Sequence, residues 1–123
     1  MSKVEEAKKV LIDLEEKVDI VGSAVIRTNG LMIVSALPSE STNERMIAAM
    51  SAALLGTSKR TAEALFNGIF KSLNLEIDMG NMFLIGAGKV ILVVITKKEP
   101  NIGLITLEME TACEDLIRIF GEM

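Results

Sequence analysis

Histidine, tryptophan and tyrosine are absent from this sequence of 123 residues, and phenylalanine occurs only four times. Histidine is the commonest general base and the commonest metal ligand in proteins, so its absence removes both roles together. Without it a serine or cysteine nucleophile would need lysine as its base, and no spacing here points to such a pair. We therefore predict a protein that is not an enzyme and that has no catalytic residues, metal or cofactor.

The sequence also lacks an excess of positive charge, since its net charge is −4 at pH 7. Surfaces that bind duplex nucleic acid are normally basic. Proteins that bind single strands normally supply aromatic side chains on which the bases stack. Both signals are missing, so we expect no nucleic-acid partner.

Long apolar runs and paired cysteines are missing as well. Nothing approaches the roughly 20 apolar residues of a membrane span, and the opening "MSKVEEAKKV" has no apolar segment of the signal-peptide type. Cys113 is the single cysteine, which excludes an intrachain disulfide and fits a reducing compartment. It lies on the apolar side of a predicted helix, as a small buried hydrophobe would. We expect a cytoplasmic protein without membrane insertion.

What is present fits one folded domain, residues 1–123, because half of the residues are apolar and a quarter are charged. The apolar periodicity predicts the order helix, strand, strand, helix, strand, strand, strand, helix. The predicted helices cover about 3–18, 42–67 and 101–120, and the predicted strands about 20–27, 31–37, 72–77, 81–87 and 89–96.

Local signals mark the ends of these elements. Ser2 with Glu5, and Ser41 with Glu44, have the spacing of capping boxes at helix starts. Asn-Gly at 29–30 is a strong hairpin signal. The stretch "GAGK" lacks the spacing of a phosphate loop and is followed by a strand, so we interpret it as a second hairpin turn. "EIDMGN" has too few oxygen ligands for a calcium loop and is interpreted as a polar turn.

Two strands differ in their patterns. Residues 90–95 are continuously apolar, which is typical of a strand that is covered on both faces. The strand at 72–77 alternates instead, which suits an edge position, and only Glu76 interrupts it. Edge strands are usually protected by lysine, proline or a bulge. An unprotected edge indicates pairing with a second copy of the chain.

The helix at 42–67 contains "MIAAMSAALLGTS", which has no charge over residues 46–58. On a helical wheel its large side chains share one arc, predicted to face the sheet: Ile47, Met50, Leu54, Thr61 and Leu65. Small residues share another arc, which would let a second helix approach closely, although they could also be incidental alanines of a buried monomeric helix. The predicted dimer interface therefore comprises Ala49, Ala52, Ala53 and Gly56, with Leu73 and Leu75 of the edge strand.

A third arc of this helix is left over after the first two are assigned. It is predicted to point outward and to receive a partner protein, since an apolar patch rimmed by charge is a usual mark of an interface. The alternative is that its large residues are further core. The predicted docking residues are Ala48, Leu55, Lys59, Ala62 and Phe66.

Four stretches together resemble the roadblock family of dynein-light-chain-type and GTPase-regulator domains: "GSAVIRTNGLMIVSALP", "AAMSAALLGTSKRTAEAL", "GKVILVVITKKEPNIGLI" and "LEMETACEDL". The resemblance runs from about residue 19 to 117 and includes the helix start Asn101, Ile102, Gly103 and Leu104. It implies an α/β sandwich in which a five-stranded antiparallel sheet carries one long helix on one face and the two terminal helices on the other.

The same resemblance implies a function. Family members dimerise through the long helix and the adjacent edge strand, and some of them regulate Ras-like GTPases. We therefore expect a non-enzymatic homodimeric platform that binds and regulates a small Ras-like GTPase. Two alternatives stay open, namely a scaffold or structural subunit with a different partner and a small-molecule sensor domain.

Overall fold

The computed structural model describes residues 1–38 and 43–122. Within them the chain forms three helices and five strands in the predicted order. None of these helices combines the length and the apolar character that crossing a membrane requires. The elements are α1 Lys3–Lys17, β1 Gly22–Arg27, β2 Met32–Ala36, α2 Glu44–Ala64, β3 Ser72–Ile77, β4 Gly80–Ala87, β5 Val90–Thr96 and α3 Ile102–Phe120.

The five strands form one antiparallel sheet in the order β2-β1-β5-β4-β3. β5 lies at the centre, where Leu92 is paired with Val25 of β1 and with Ile85 of β4. Residues 90–94 are all buried, which confirms the prediction that this strand is covered on both faces. β3 is an edge strand, as its alternation predicted.

A layer of helix covers each face of the sheet. α1 and α3 pack over one face, where the core centres on Leu11, Phe83, Leu92 and Met109. α2 packs over the other face, where Leu55 contacts a cluster with Leu84, Ile91 and Val93. The sandwich expected from the resemblance is therefore confirmed.

Short polar residues cap the helices. The Ser2 hydroxyl accepts a hydrogen bond from the Glu5 N–H at 3.1 Å, as the capping box predicted. The other predicted cap, Ser41, lies outside the described residues. The described start of α2 is at Glu44, where the side chain of Asn43 accepts from the Met46 N–H at 3.0 Å. Asparagine is among the preferred residues at such positions.

The two predicted hairpin turns are both confirmed. Gly30 has φ +93°, and beside it the Arg27 N–H donates to the Leu31 carbonyl at 2.8 Å. Gly88 has φ +64°, and a Cβ there would collide with the carbonyl oxygen of Gly121 at the end of α3. "GAGK" is thus a tight β4–β5 turn packed against a helix end.

Candidate partner-binding surface

The side of α2 that faces the sheet is made largely of small residues. Ala48 and Ser51 are buried there together with Leu55, which is 3% exposed and lies beside Gly86 of β4. Small side chains let the helix axis approach the strands closely, because the strands themselves supply the large apolar groups. The prediction that Ala48 and Leu55 point outward is therefore wrong.

Several of the large side chains of α2 therefore lie away from the sheet. Met50 is 58% exposed, and Thr61 and Leu65 are exposed as well, so the prediction that these three face the sheet is wrong. Ile47 and Leu54 are partly buried against the core under α2. The helical wheel predicts that the side of α2 with the largest residues is buried. In the structure the buried side is instead the one whose small residues let the helix lie closest to the sheet.

The small residues predicted for the dimer interface fall into two groups. A Cβ at Gly30 would lie 3.7 Å from the Ala49 Cα and 3.8 Å from the Ala52 Cβ, so the β1–β2 turn packs against this side of α2. This contact within the chain explains why Ala49 and Ala52 are small. Ala53 is exposed, and a Cβ at Gly56 would meet only the Arg60 guanidinium, at 3.6 Å. For these two the predicted role in self-association stays a prediction.

α2 and the segment after it expose large apolar side chains in two groups. Met46 and Met50 lie near the start of the helix, whereas Leu65, Phe66 and Ile69 lie beyond its end. Phe66 is the most exposed of them, at 99%. Exposed apolar side chains that lie close together are typical of an interaction site. Lys59 and Ala62, predicted as docking residues together with Phe66, are half-buried.

The end of α2 holds Phe66 in the solvent. The helix ends at Ala64 rather than at residue 67, and Phe66 and Asn67 follow with φ +59° and +56°. The Asn67 N–H donates to the Glu63 carbonyl at 3.1 Å, and the Gly68 N–H donates to the Ala62 carbonyl at 2.8 Å. Left-handed backbone costs a residue such as phenylalanine about 1 kcal/mol or more. The backbone therefore presents this aromatic ring outward at an energetic cost.

The two edges of the sheet differ in their protection. At β2 the Lys8 ammonium donates to the Ser35 carbonyl at 2.6 Å, and the Ser35 hydroxyl donates to the Glu44 carboxylate, so both α1 and α2 hold this edge. At β3 no side chain among the described residues forms a hydrogen bond to the strand. Leu73 of β3 is half-buried and Leu75 is exposed. β3 is therefore the open edge.

An apolar groove lies beside the open edge, on the same face of the sheet as α2. Its volume is about 330 Å³. Apolar side chains from β3, β4 and β5 and from the adjoining segments form most of its surface. The groove is lined chiefly by Val21, Leu75, Ile77, Met79, Met82 and Ile95.

The described residues meet the requirements of neither a reactive thiol nor a metal site. Cys113 is buried on the side of α3 that faces the core, and this burial, with the Glu110 carboxylate adding to it, raises the pKa of its thiol to about 12. The thiolate that nucleophilic chemistry needs is thus disfavoured. Among the described residues no three His, Cys, Asp or Glu side chains are grouped so as to hold a metal ion.

Comparison with known proteins assigns the fold to a family. The family model described as Roadblock/LC7 domain matches residues 6–96. The chain belongs to this family. An uncharacterized protein of Methanocaldococcus jannaschii is 35% identical to this roadblock chain, over 91% of the chain and 97% of the relative.

Solved structures agree with the assignment. Myxococcus xanthus MglB superposes on the roadblock chain with a TM-score of 0.89, at 21% identity, over 98% of this chain and 91% of MglB. A structure described as MglB with tetrameric arrangement gives 0.85 at 18% identity, over 97% and 90%. These likenesses show the fold. Members of the roadblock family are generally regulatory or adaptor proteins rather than enzymes.

Sequence reasoning missed a part of the surface. The helical wheel predicts that Met50 and Leu65 belong to the core, and the sequence around Met79 predicts only a polar turn. One signal was present in the sequence, since "LFNGIF" places large apolar residues around an Asn-Gly that ends a helix. The groove had no such signal, because its side chains come from separate strands.

Proposed function

We propose that this roadblock domain, residues 1–123 acting as one unit, is a non-enzymatic homodimeric platform in the cytoplasm that binds and regulates a Ras-like small GTPase. One observation carries the proposal: α2 exposes large apolar side chains such as Met46 and Met50, and the edge strand β3 is left open. A monomer would leave both in water. A two-fold dimer buries them together and turns two open edges into one continuous sheet.

The proposed dimer contact centres on α2 and β3. Ala53 and Gly56 supply the helix side, with Ala49 and Ala52 at its margin against the β1–β2 turn. Leu75, with Leu73 beside it, supplies the strand side. The tetrameric arrangement described for one MglB structure supports self-association in chains of this fold.

The proposed GTPase surface is what remains exposed on the paired helices. Lys59, Ala62 and Phe66 stay candidates from the predicted docking set, whereas Ala48 and Leu55 are excluded by their burial against the sheet. The GTPase itself is inferred from the family resemblance, in which some members regulate Ras-like GTPases.

Self-association is tested first. Light scattering at micromolar concentration is expected to give the mass of a dimer. Ala53→Glu should place a charge in the helix contact and shift the protein towards monomer. Leu107→Glu changes another exposed residue, on α3 over the other face of the sheet, and should leave the dimer intact. A monomeric parent protein would contradict the proposal.

The partner is tested separately. The dimer, immobilised, is exposed to purified small GTPases loaded with GDP or with a non-hydrolysable GTP analogue. We expect capture that depends on the nucleotide, and a change in the rate of nucleotide hydrolysis or exchange when the dimer is added. Capture of a partner without any nucleotide dependence would instead favour the scaffold alternative.

A further inference from the structure

The segment that follows α2 ends in an apolar knob, formed by Leu65, Phe66 and Ile69. All three side chains are exposed, and Phe66 is almost completely in solvent. The hydrogen bonds of Asn67 and Gly68 fix the backbone beneath them. An aromatic side chain that an ordered, strained backbone holds outward points to a contact outside the monomer.

The knob and the groove lie at opposite ends of β3. The knob precedes Ser72, which pairs with Ile85 at the end of the sheet that α2 covers. The groove surrounds Ile77, which pairs with Gly80 at the other end. Leu55 packs beside Gly86 at the covered end, so the intrachain helix leaves the far end of this face open.

Two-fold symmetry brings these two features together. When two copies of β3 pair antiparallel, the beginning of each strand lies beside the end of the other. A two-fold axis normal to the sheet also keeps both copies of α2 on the same face. We propose that the knob of each copy, with Phe66 as its anchor, fills the apolar groove formed by Leu75, Ile77 and Met79 of the second copy. The inference rests on the homodimer of the proposed function.

The two surfaces match in chemistry and in size. Both are apolar, and the groove's volume of about 330 Å³ suits one aromatic side chain with its neighbours rather than a whole helix. The contact occurs twice per dimer because the interface is isologous. A central aromatic anchor in an apolar pocket is the usual form of a residue that dominates binding. Phe66 therefore contacts the second copy of the chain rather than the GTPase.

Cross-linking between copies tests the contact directly. One chain carries Phe66→Cys and an affinity tag, and the other carries Met79→Cys without a tag. After the two are mixed, a short bismaleimide should join tagged to untagged chains, which mass spectrometry identifies. Cys113 is buried and should not compete. The matched control pairs Phe66→Cys with Leu107→Cys on α3 and should give no cross-link.

Affinity supplies the second measurement. Phe66→Asp should raise the dissociation constant of the dimer about tenfold or more, because it removes a buried aromatic group and adds an unpaired charge. Met79→Asp should act in the same way from the other side of the contact. Circular dichroism should show both variants folded, since both residues are exposed in the monomer.

The outcomes separate this inference from the proposed function. A dimeric parent that gives no cross-link between residues 66 and 79, and whose affinity Phe66→Asp leaves unchanged, overturns the inference and leaves the platform intact. Loss of GTPase capture by Phe66→Asp with an unchanged dimer also overturns it. A monomeric parent overturns both.

Discussion

At the scale of single residues, Cys113 shows how burial in the core keeps a thiol protonated and therefore unreactive. The thiol lies among apolar neighbours on the core side of α3, where ionisation would place a charge out of contact with water. The Glu110 carboxylate adds repulsion to that cost, and the pKa of the thiol rises to about 12 from 9.0. Cys113 thus contributes to packing as a neutral side chain.

The raised pKa of Cys113 predicts that the protein becomes less stable at high pH. The unfolded chain loses the thiol proton near 9.0 and the folded chain only near 12. Between these values the folded state binds more protons, so the free energy of unfolding should fall as the pH rises, by up to about 1.4 kcal/mol per pH unit. Denaturant unfolding of the parent and of Cys113→Ala across this range measures it. Equal slopes for the two proteins would refute the effect.

At the scale of the element, α2 shows that the buried side of a helix need not hold its largest residues. Ala48 and Ser51 bring the helix close to the sheet, and Leu55 then fills the space above Gly86. The longer Met50 is left on the opposite side. The same element therefore stabilises the fold with one side and is free to contact a partner with the other.

A pair of leucine substitutions tests this orientation. Leu55→Ala should lower the free energy of unfolding by about 2–5 kcal/mol, because it leaves a cavity between α2 and the sheet. Leu107→Ala is the matched control in α3, since its side chain is exposed, and should change that free energy by less than about 0.5 kcal/mol. Urea denaturation gives both values. A small effect at Leu55 would contradict the described placement of α2.

At the scale of the whole molecule, the two edges of the sheet differ in a way that bears on the proposed dimer. The edge at β2 is tied by Lys8 of α1 and Glu44 of α2. The edge at β3 has no comparable side-chain contact among the described residues. A domain with one closed and one open edge can pair only at the open edge, so the proposed association would stop at a dimer rather than continue into a fibre.

Association of this kind should couple stability to concentration. Since a dimer is stabilised by mass action, the melting temperature of the parent should rise with protein concentration. Leu75→Lys places a charge on the open edge and should remove that dependence, while the protein remains folded. Scanning calorimetry over a wide concentration range measures both. A parent melting temperature that does not vary with concentration would count against the dimer.

Local sequence patterns are enough to predict the order of the elements, both hairpin turns, the buried centre of the sheet and the edge position of β3. Each of these follows from a local pattern: Asn-Gly at 29–30, a continuous apolar run at 90–95, and alternation at 72–77. Each pattern spans only a few consecutive residues, so it predicts the local backbone without reference to contacts between distant parts of the chain.

Three features depend instead on contacts between distant parts of the chain, namely which side of α2 is buried, how Phe66 is exposed and where the groove lies. A helical wheel fixes the angles between residues but not the rotation of the helix, and α2 has apolar or small residues on every side over 46–58. The rotation is set instead by how closely Ala48 and Ser51 let the helix approach the strands. The groove exists because the helix, so placed, covers one end of the sheet and leaves Ile77 at the other end uncovered.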